Sequence, residues 1–158
     1  MIYWDLDEVL RLLADAIPIL DKKRGTWDKP LIGGQDLTTY INHNLHILKD
    51  AKPSRYLTVA LFYDKIPILS HQPELWQKPT TEWVKRYLPN ADLNFVGSAL
   101  EKLEYLEPGD YLIDDYPKFY FTEYSRIILV NSRYNQDVSA PMRVYNEAEL
   151  LDILDEIG

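Results

Sequence analysis

The sequence predicts an α/β fold in which helices cover a parallel sheet. Two observations carry that expectation. Short runs rich in β-branched and aromatic residues alternate with helix-compatible segments, and three of those runs finish in polar residues, at Asp5, Ser70 and Asp115. Parallel sheets bind ligands at the carboxyl ends of their strands, so such endings mark a site as well as a fold. A third observation is size: 158 residues suit one domain, 1–158, with a core that needs no disulfide.

The elements follow in order. Met1 to Trp4 is apolar and aromatic and reads as a strand running into Asp5-Leu6-Asp7, where strand alternation turns both aspartates to one side. Val9 to Leu20 is apolar and helix-compatible, broken by Pro18 and followed by Lys22-Lys23-Arg24. Gly25 to Asp36, with Pro30, Gly33 and Gly34, reads as loop. Leu37 to Lys49 reads as one helix, with Tyr40, Ile41, Leu45 and Leu48 at helical spacing. Residues 11–50 carry no strand signal, so they are expected to form a small helical cap inserted after the first strand.

Ser54 to Tyr63 follows Pro53 and reads as a helix starting near Ser54, with a strand as the competing reading. Ile66 to His71 is a strand, Thr80 to Leu88 a helix capped by Thr80 or Thr81, and Asp92 to Ser98 a strand. Ala99 to Leu106 is a short helix closed by a Pro108-Gly109 turn. Tyr111 to Ile113 is a strand running into Asp114-Asp115, and Arg126 to Asn131 another. Met142 to Tyr145 is a last strand before a helix from Glu147 to Ile157.

Composition narrows the function. A net charge of −8 works against binding a nucleic-acid polymer, which needs clustered Lys and Arg. The absence of cysteine excludes disulfides, thiol catalysis and Cys-ligated zinc. No apolar run approaches the roughly twenty residues of a membrane span, and the chain opens on a core strand without a signal peptide, so the expectation is a soluble, cytoplasmic protein.

Two carboxylate pairs, Asp5/Asp7 and Asp114/Asp115, meeting at one sheet edge would repel unless a cation sits between them, and all-oxygen ligation suits Mg²⁺. Mg²⁺ readily takes a phosphate oxygen, so a small phosphorylated substrate follows, with a free carboxylate as its covalent nucleophile. Ser70 and Lys102 are the other polar marks in the set. Lys78 and Lys85 compete with Lys102, which stands a short helix and a turn before Asp114.

The order strand-Asp5-x-Asp7-x-Val9, strand-Ser70, Lys102, Leu112-Ile113-Asp114-Asp115-Tyr116-Pro117 resembles the four motifs of the haloacid dehalogenase (HAD) superfamily. The Leu-Ile-Asp-Asp-Tyr-Pro-Lys run, Trp83 in its Thr-Thr-Glu-Trp-Val-Lys helix and the insert after the first motif resemble the 5′(3′)-deoxyribonucleotidase branch. The resemblance implies a Rossmann-like HAD core and a Mg²⁺-dependent phosphomonoesterase acting on nucleoside or deoxynucleoside monophosphates. It also implies roles. Asp5 is the nucleophile and a metal ligand, and Asp7 is the acid and base, with its backbone carbonyl on the metal. Ser70 and Lys102, with His71 beside them, bind the phosphate, and Asp114 and Asp115 complete the metal shell.

Other readings stand beside these. A weakly catalytic HAD-scaffold binding or regulatory protein, or a phosphatase for sugar phosphates, fits the same residues. Trp27, Tyr40 or Trp76 would stack on a base. His43 and His46, three apart on the expected helix, lack a third ligand. A phosphoacceptor receiver domain orders its aspartates the other way round.

Overall fold

The computed structural model describes residues 1–17 and 34–158. Among them six strands form one all-parallel sheet: β1 Ile2–Trp4, β2 Ile66–His71, β3 Ala91–Val96, β4 Tyr111–Asp114, β5 Ile127–Val130 and β6 Met142–Val144. Their spatial order is β3-β2-β1-β4-β5-β6. This is a Rossmann-like α/β arrangement whose order reverses between β1 and β4. The crevice beyond the carboxyl ends of those two strands is where such sheets bind ligands.

Strand alternation divides the core. Trp4, Ile68, Ile113, Ile128 and Val130 pack on one face against α3 (Leu57–Ala60), α4 (Glu74–Tyr87) and α5 (Glu147–Ile157). Leu112, Ile127 and Leu129 face the other way, onto Leu106, Phe119 and Tyr124 of two 3₁₀ turns and their flanks. A further apolar cluster joins Leu13, Ile17, Leu37, Ile41, Ile47 and Leu48 to Trp76 of α4. It contains α1 (Leu37–Asn42) and α2 (His46–Asp50), so the described part of the insert has a small core of its own seated on the sheet domain. No helix among the described residues is long and apolar enough to cross a membrane.

Several elements differ from expectation. The helix expected over Val9 to Leu20 does not form in its described part. Leu10 and Arg11 both donate to the Leu6 carbonyl, Glu8 adopts a left-handed φ of 66°, and only Ala14–Ala16 makes a 3₁₀ turn. Pairing wins locally: Arg11 bridges to Pro53, and Leu12 N–H donates to the Lys52 carbonyl at 2.8 Å. Residues 18–33, with Lys22-Lys23-Arg24, Trp27 and most of the expected loop, lie outside the described residues.

Leu37 to Lys49 is two helices rather than one. The break falls at His43-Asn44, where the Asn44 amide donates to the Tyr40 carbonyl at 2.8 Å and so competes with helix propagation. His43 and His46 consequently do not share a helix. The helix expected from Thr80 starts at Glu74 and contains Pro79. Burial of Trp76 and Trp83, seven apart on one face, outweighs the lost donor, and Thr80 is a buried interior residue instead of a cap.

Candidate active site

β1 ends at Trp4, but the Asp5 N–H still donates to the Ile113 carbonyl at 2.9 Å, which pins Asp5 beside the end of β4. Asp114 closes β4 and Asp115 follows it. One oxygen from each of Asp5, Asp114 and Asp115 lies within 4.8 Å of the others, and all three residues are buried. Lys102 enters this cluster from the 3₁₀ turn Leu100–Tyr105 and is itself 4% exposed. Its Nζ donates to Asp5 Oδ1 and to Asp114 Oδ2, each at 2.7 Å. Gly97 sets up that turn: its N–H donates to Glu101 Oε2 at 2.6 Å, and a Cβ at 97 would meet the same carboxylate.

The electrostatics follow from burial. Burial, then the Asp114 carboxylate, raise the Asp5 carboxyl to about 7 against the opposing pull of Lys102. Burial and the charges of Asp5 and Asp114 push Asp115 well above the usual carboxylate range. Burial also works against the Lys102 ammonium, but Asp114 and Asp5 outweigh it and hold the ammonium above its ordinary range. Asp115 Oδ2 is buried without a hydrogen-bond partner, whereas the Asp115 backbone carbonyl is held by Asn135 Nδ2 at 3.0 Å. A second bond from Asn135 Nδ2 to the Val130 carbonyl, at 2.8 Å, ties the ends of β4 and β5 together.

A cavity of about 330 Å³ opens over the cluster. Its wall includes every residue expected at the site: Asp5, Asp7, Ser70, His71, Lys102, Asp114 and Asp115. The Asp7 carboxylate stands apart from the other three, engaged by Arg11 and by Gln72 Nε2, the latter at 2.7 Å from Oδ2. Gln72 Nε2 also donates to Ser70 Oγ at 2.9 Å, which couples the Asp7 side to the end of β2. His71 Nδ1 donates to the Val96 carbonyl at 3.1 Å, leaving Nε2 for a ligand. The rival lysines, Lys78 and Lys85, are exposed on α4 and lie outside the cavity wall.

Sequence reasoning missed four contributors. Arg11, Gln72 and Asn135 hold site residues in place, and Tyr116 N–H donates to Asp114 Oδ1 at 2.9 Å. The spacing Asp7/Arg11 was a usable signal, since opposite charges four apart commonly meet in a turn or helix. Leu13, Leu37 and Trp76 add an apolar wall, while Tyr40 packs within the insert's own core. Comparison with known proteins gives no family assignment: no family model matches the sequence, and no curated protein matches it at a significant level.

Proposed function

We propose that this protein is a Mg²⁺-dependent phosphomonoesterase of HAD type that works through an aspartyl-phosphate on Asp5 and acts on nucleoside or deoxynucleoside monophosphates. The observation that carries the reading is the buried cluster of Asp5, Asp114 and Asp115 with a single ammonium, Lys102, bonded to two of them at the floor of a cavity. Three buried carboxylates against one cation leave an excess of negative charge that a divalent ion offsets. The donor set fits a hard cation: it is all oxygen, and the orphaned Asp115 Oδ2 is an acceptor awaiting a partner. Asp5, Asp114 and Asp115 would hold Mg²⁺, with the Asp7 backbone carbonyl. When bound, the ion neutralises charge on the transferring phosphoryl group.

The protein's own groups perform the rest. An Asp5 carboxylate oxygen attacks phosphorus, forming the acyl-phosphate bond as the ester P–O bond breaks, and the leaving oxygen takes its proton from Asp7. Asp7 then accepts a proton from the water that attacks phosphorus, which breaks the bond to Asp5 and releases inorganic phosphate. Ser70 Oγ and Lys102 Nζ supply donors for the phosphoryl oxygens, with His71 beside them in the cavity wall. Leu13, Leu37 and Trp76 favour a flat, apolar leaving group such as a nucleoside over a polyol, which would strand its hydroxyls there.

One observation favours a second reading, a ligand-binding protein without turnover: both Asp7 carboxylate oxygens already accept hydrogen bonds. Phosphate release from a panel of nucleoside monophosphates, sugar phosphates and an aryl phosphate, with and without Mg²⁺, separates the two. Mg²⁺-dependent turnover above an Asp5→Asn blank is the expected result. Turnover of none of them supports the binding protein, and a preference for sugar phosphates moves only the substrate class.

A further inference from the structure

Arg11 is fully buried, and burying a guanidinium is costly unless its donors are matched. Here they are matched closely. Nε donates to Asp7 Oδ1 at 2.7 Å and Nη2 to Asp7 Oδ2 at 3.1 Å, a two-pronged contact that fixes the plane of the carboxylate. Nη1 donates to the Leu48 carbonyl at 2.8 Å and to Thr80 Oγ1 at 3.1 Å, and the guanidinium carbon lies 5.8 Å from the centre of the Trp83 ring.

The partners come from different parts of the molecule. Arg11 stands where the chain leaves the first strand for the insert. Leu48 lies in α2, near where the insert returns, and Arg11 also bridges to Pro53 just beyond it. Thr80 and Trp83 belong to α4. Gln72 reaches Asp7 from the opposite side, with Nε2 shared between Asp7 Oδ2 and Ser70 Oγ. Its Oε1 accepts from Thr80 Oγ1 at 3.3 Å, so Arg11, Thr80, Gln72 and Asp7 close a ring of hydrogen bonds at the cavity edge.

We infer that Arg11, seconded by Gln72, is the positioning residue for Asp7: it holds the carboxylate in place at the cavity edge and ties it to both ends of the insert, so that proton transfer to the leaving group depends on a seated insert. The inference rests on the phosphatase reading above. A salt bridge serving stability alone would not care which ester is cleaved. A residue that aims the proton donor does, because an alkoxide leaving group needs the proton and an aryl oxide largely does not.

The test compares the rate of phosphoenzyme formation in single turnovers of a nucleoside monophosphate and of an aryl phosphate, for wild type, Arg11→Lys, Gln72→Met and Asp7→Asn. Arg11→Lys keeps the charge and loses the two-pronged contact. Its rate on the nucleotide should fall at least about tenfold more than its rate on the aryl ester, with KM moving less than about threefold. Gln72→Met should shift the same ratio in the same direction. Adding Arg11→Lys to Asp7→Asn should cost nothing further, because the two residues act as one unit.

Equal losses on both esters, or losses that add in the double variant, overturn the inference. Should Arg11→Lys fail to fold, Gln72→Met carries the same comparison with the guanidinium in place, and an unchanged ratio there overturns it. A wild-type protein inert on both esters removes the phosphatase reading itself, whereas an active wild type with equal losses removes only the role of Arg11.

Discussion

Lys102 is the residue on which the cluster's charge balance turns. Its ammonium bonds two buried carboxylates, so Lys102→Met leaves Asp5 and Asp114 without their cation and should cost about 3–5 kcal/mol, read by urea unfolding in the presence of a chelator. Mg²⁺ should recover part of that loss, and an equal loss with and without Mg²⁺ would speak against a cation site there. Asp7→Asn removes the proposed proton donor while leaving Asp5 in place, and should lower turnover of a nucleotide by about 10²–10⁴-fold without abolishing phosphoenzyme formation on an aryl ester. At this scale the grouping of Asp5, Ser70, Asp114 and Asp115 was legible because they sit at or just beyond strand ends, which the chain brings to one sheet edge, while Lys102 joins them from the 3₁₀ turn before β4. Arg11 and Gln72 were not. Their importance lies in long-range hydrogen bonds, Arg11 to Leu48 and Thr80 and Gln72 to Asp7, and no local pattern encodes those partners.

Among the elements, α5 carries the plainest local signal. Asn146 Oδ1 accepts from the Glu149 N–H at 3.0 Å, and Leu150 and Leu154 are buried on one face. Asn146→Ala should cost about 0.5–2 kcal/mol in thermal or urea unfolding and leave kcat untouched, since α5 packs on the sheet away from the cavity wall. The helix from Glu147 to Ile157 and all six strands could be read from the sequence to within a residue or two; burial on both faces makes β2, β4 and β5 short apolar runs between turns, while the edge strands β3 and β6 carry polar residues between their apolar ones. The first helix expected after β1 and the start of α4 could not. In the one, Arg11 pairs with Asp7 and Pro53, and Glu8, at a left-handed φ, donates its N–H to the Arg11 carbonyl. In the other, two buried tryptophans override a proline.

Over the whole molecule, the buried acids set the pH response. Asp5 and Glu8 are each raised to about 7, both first of all by burial, and Asp115 is raised as well. A carboxyl whose value is higher folded than unfolded binds more protons in the folded state between the unfolded value, about 4, and the folded one, so stability falls as pH rises through that window. Lys102 is a cation whose value is also raised, so it gives its full contribution throughout that range, which lies below its unfolded value. In chelator the melting temperature should therefore drop between about pH 5 and about pH 8, and Mg²⁺ should raise it more at the higher pH, where the cluster is ionised. A melting temperature that climbs over that interval would contradict this balance of charges. The strand order brings Asp5 and Asp114 together across the β1/β4 crevice, and the central claim is that this meeting makes Asp5 a nucleophile. Acid-quenching the protein during turnover of an aryl phosphate with Mg²⁺, then locating the label by peptide mass spectrometry, tests it most directly. The expected result is one acid-stable, hydroxylamine-labile phosphoryl group on the peptide carrying Asp5, absent in Asp5→Asn. Turnover with no phosphoryl group on that peptide, or with an undiminished one in Asp5→Asn, would contradict it.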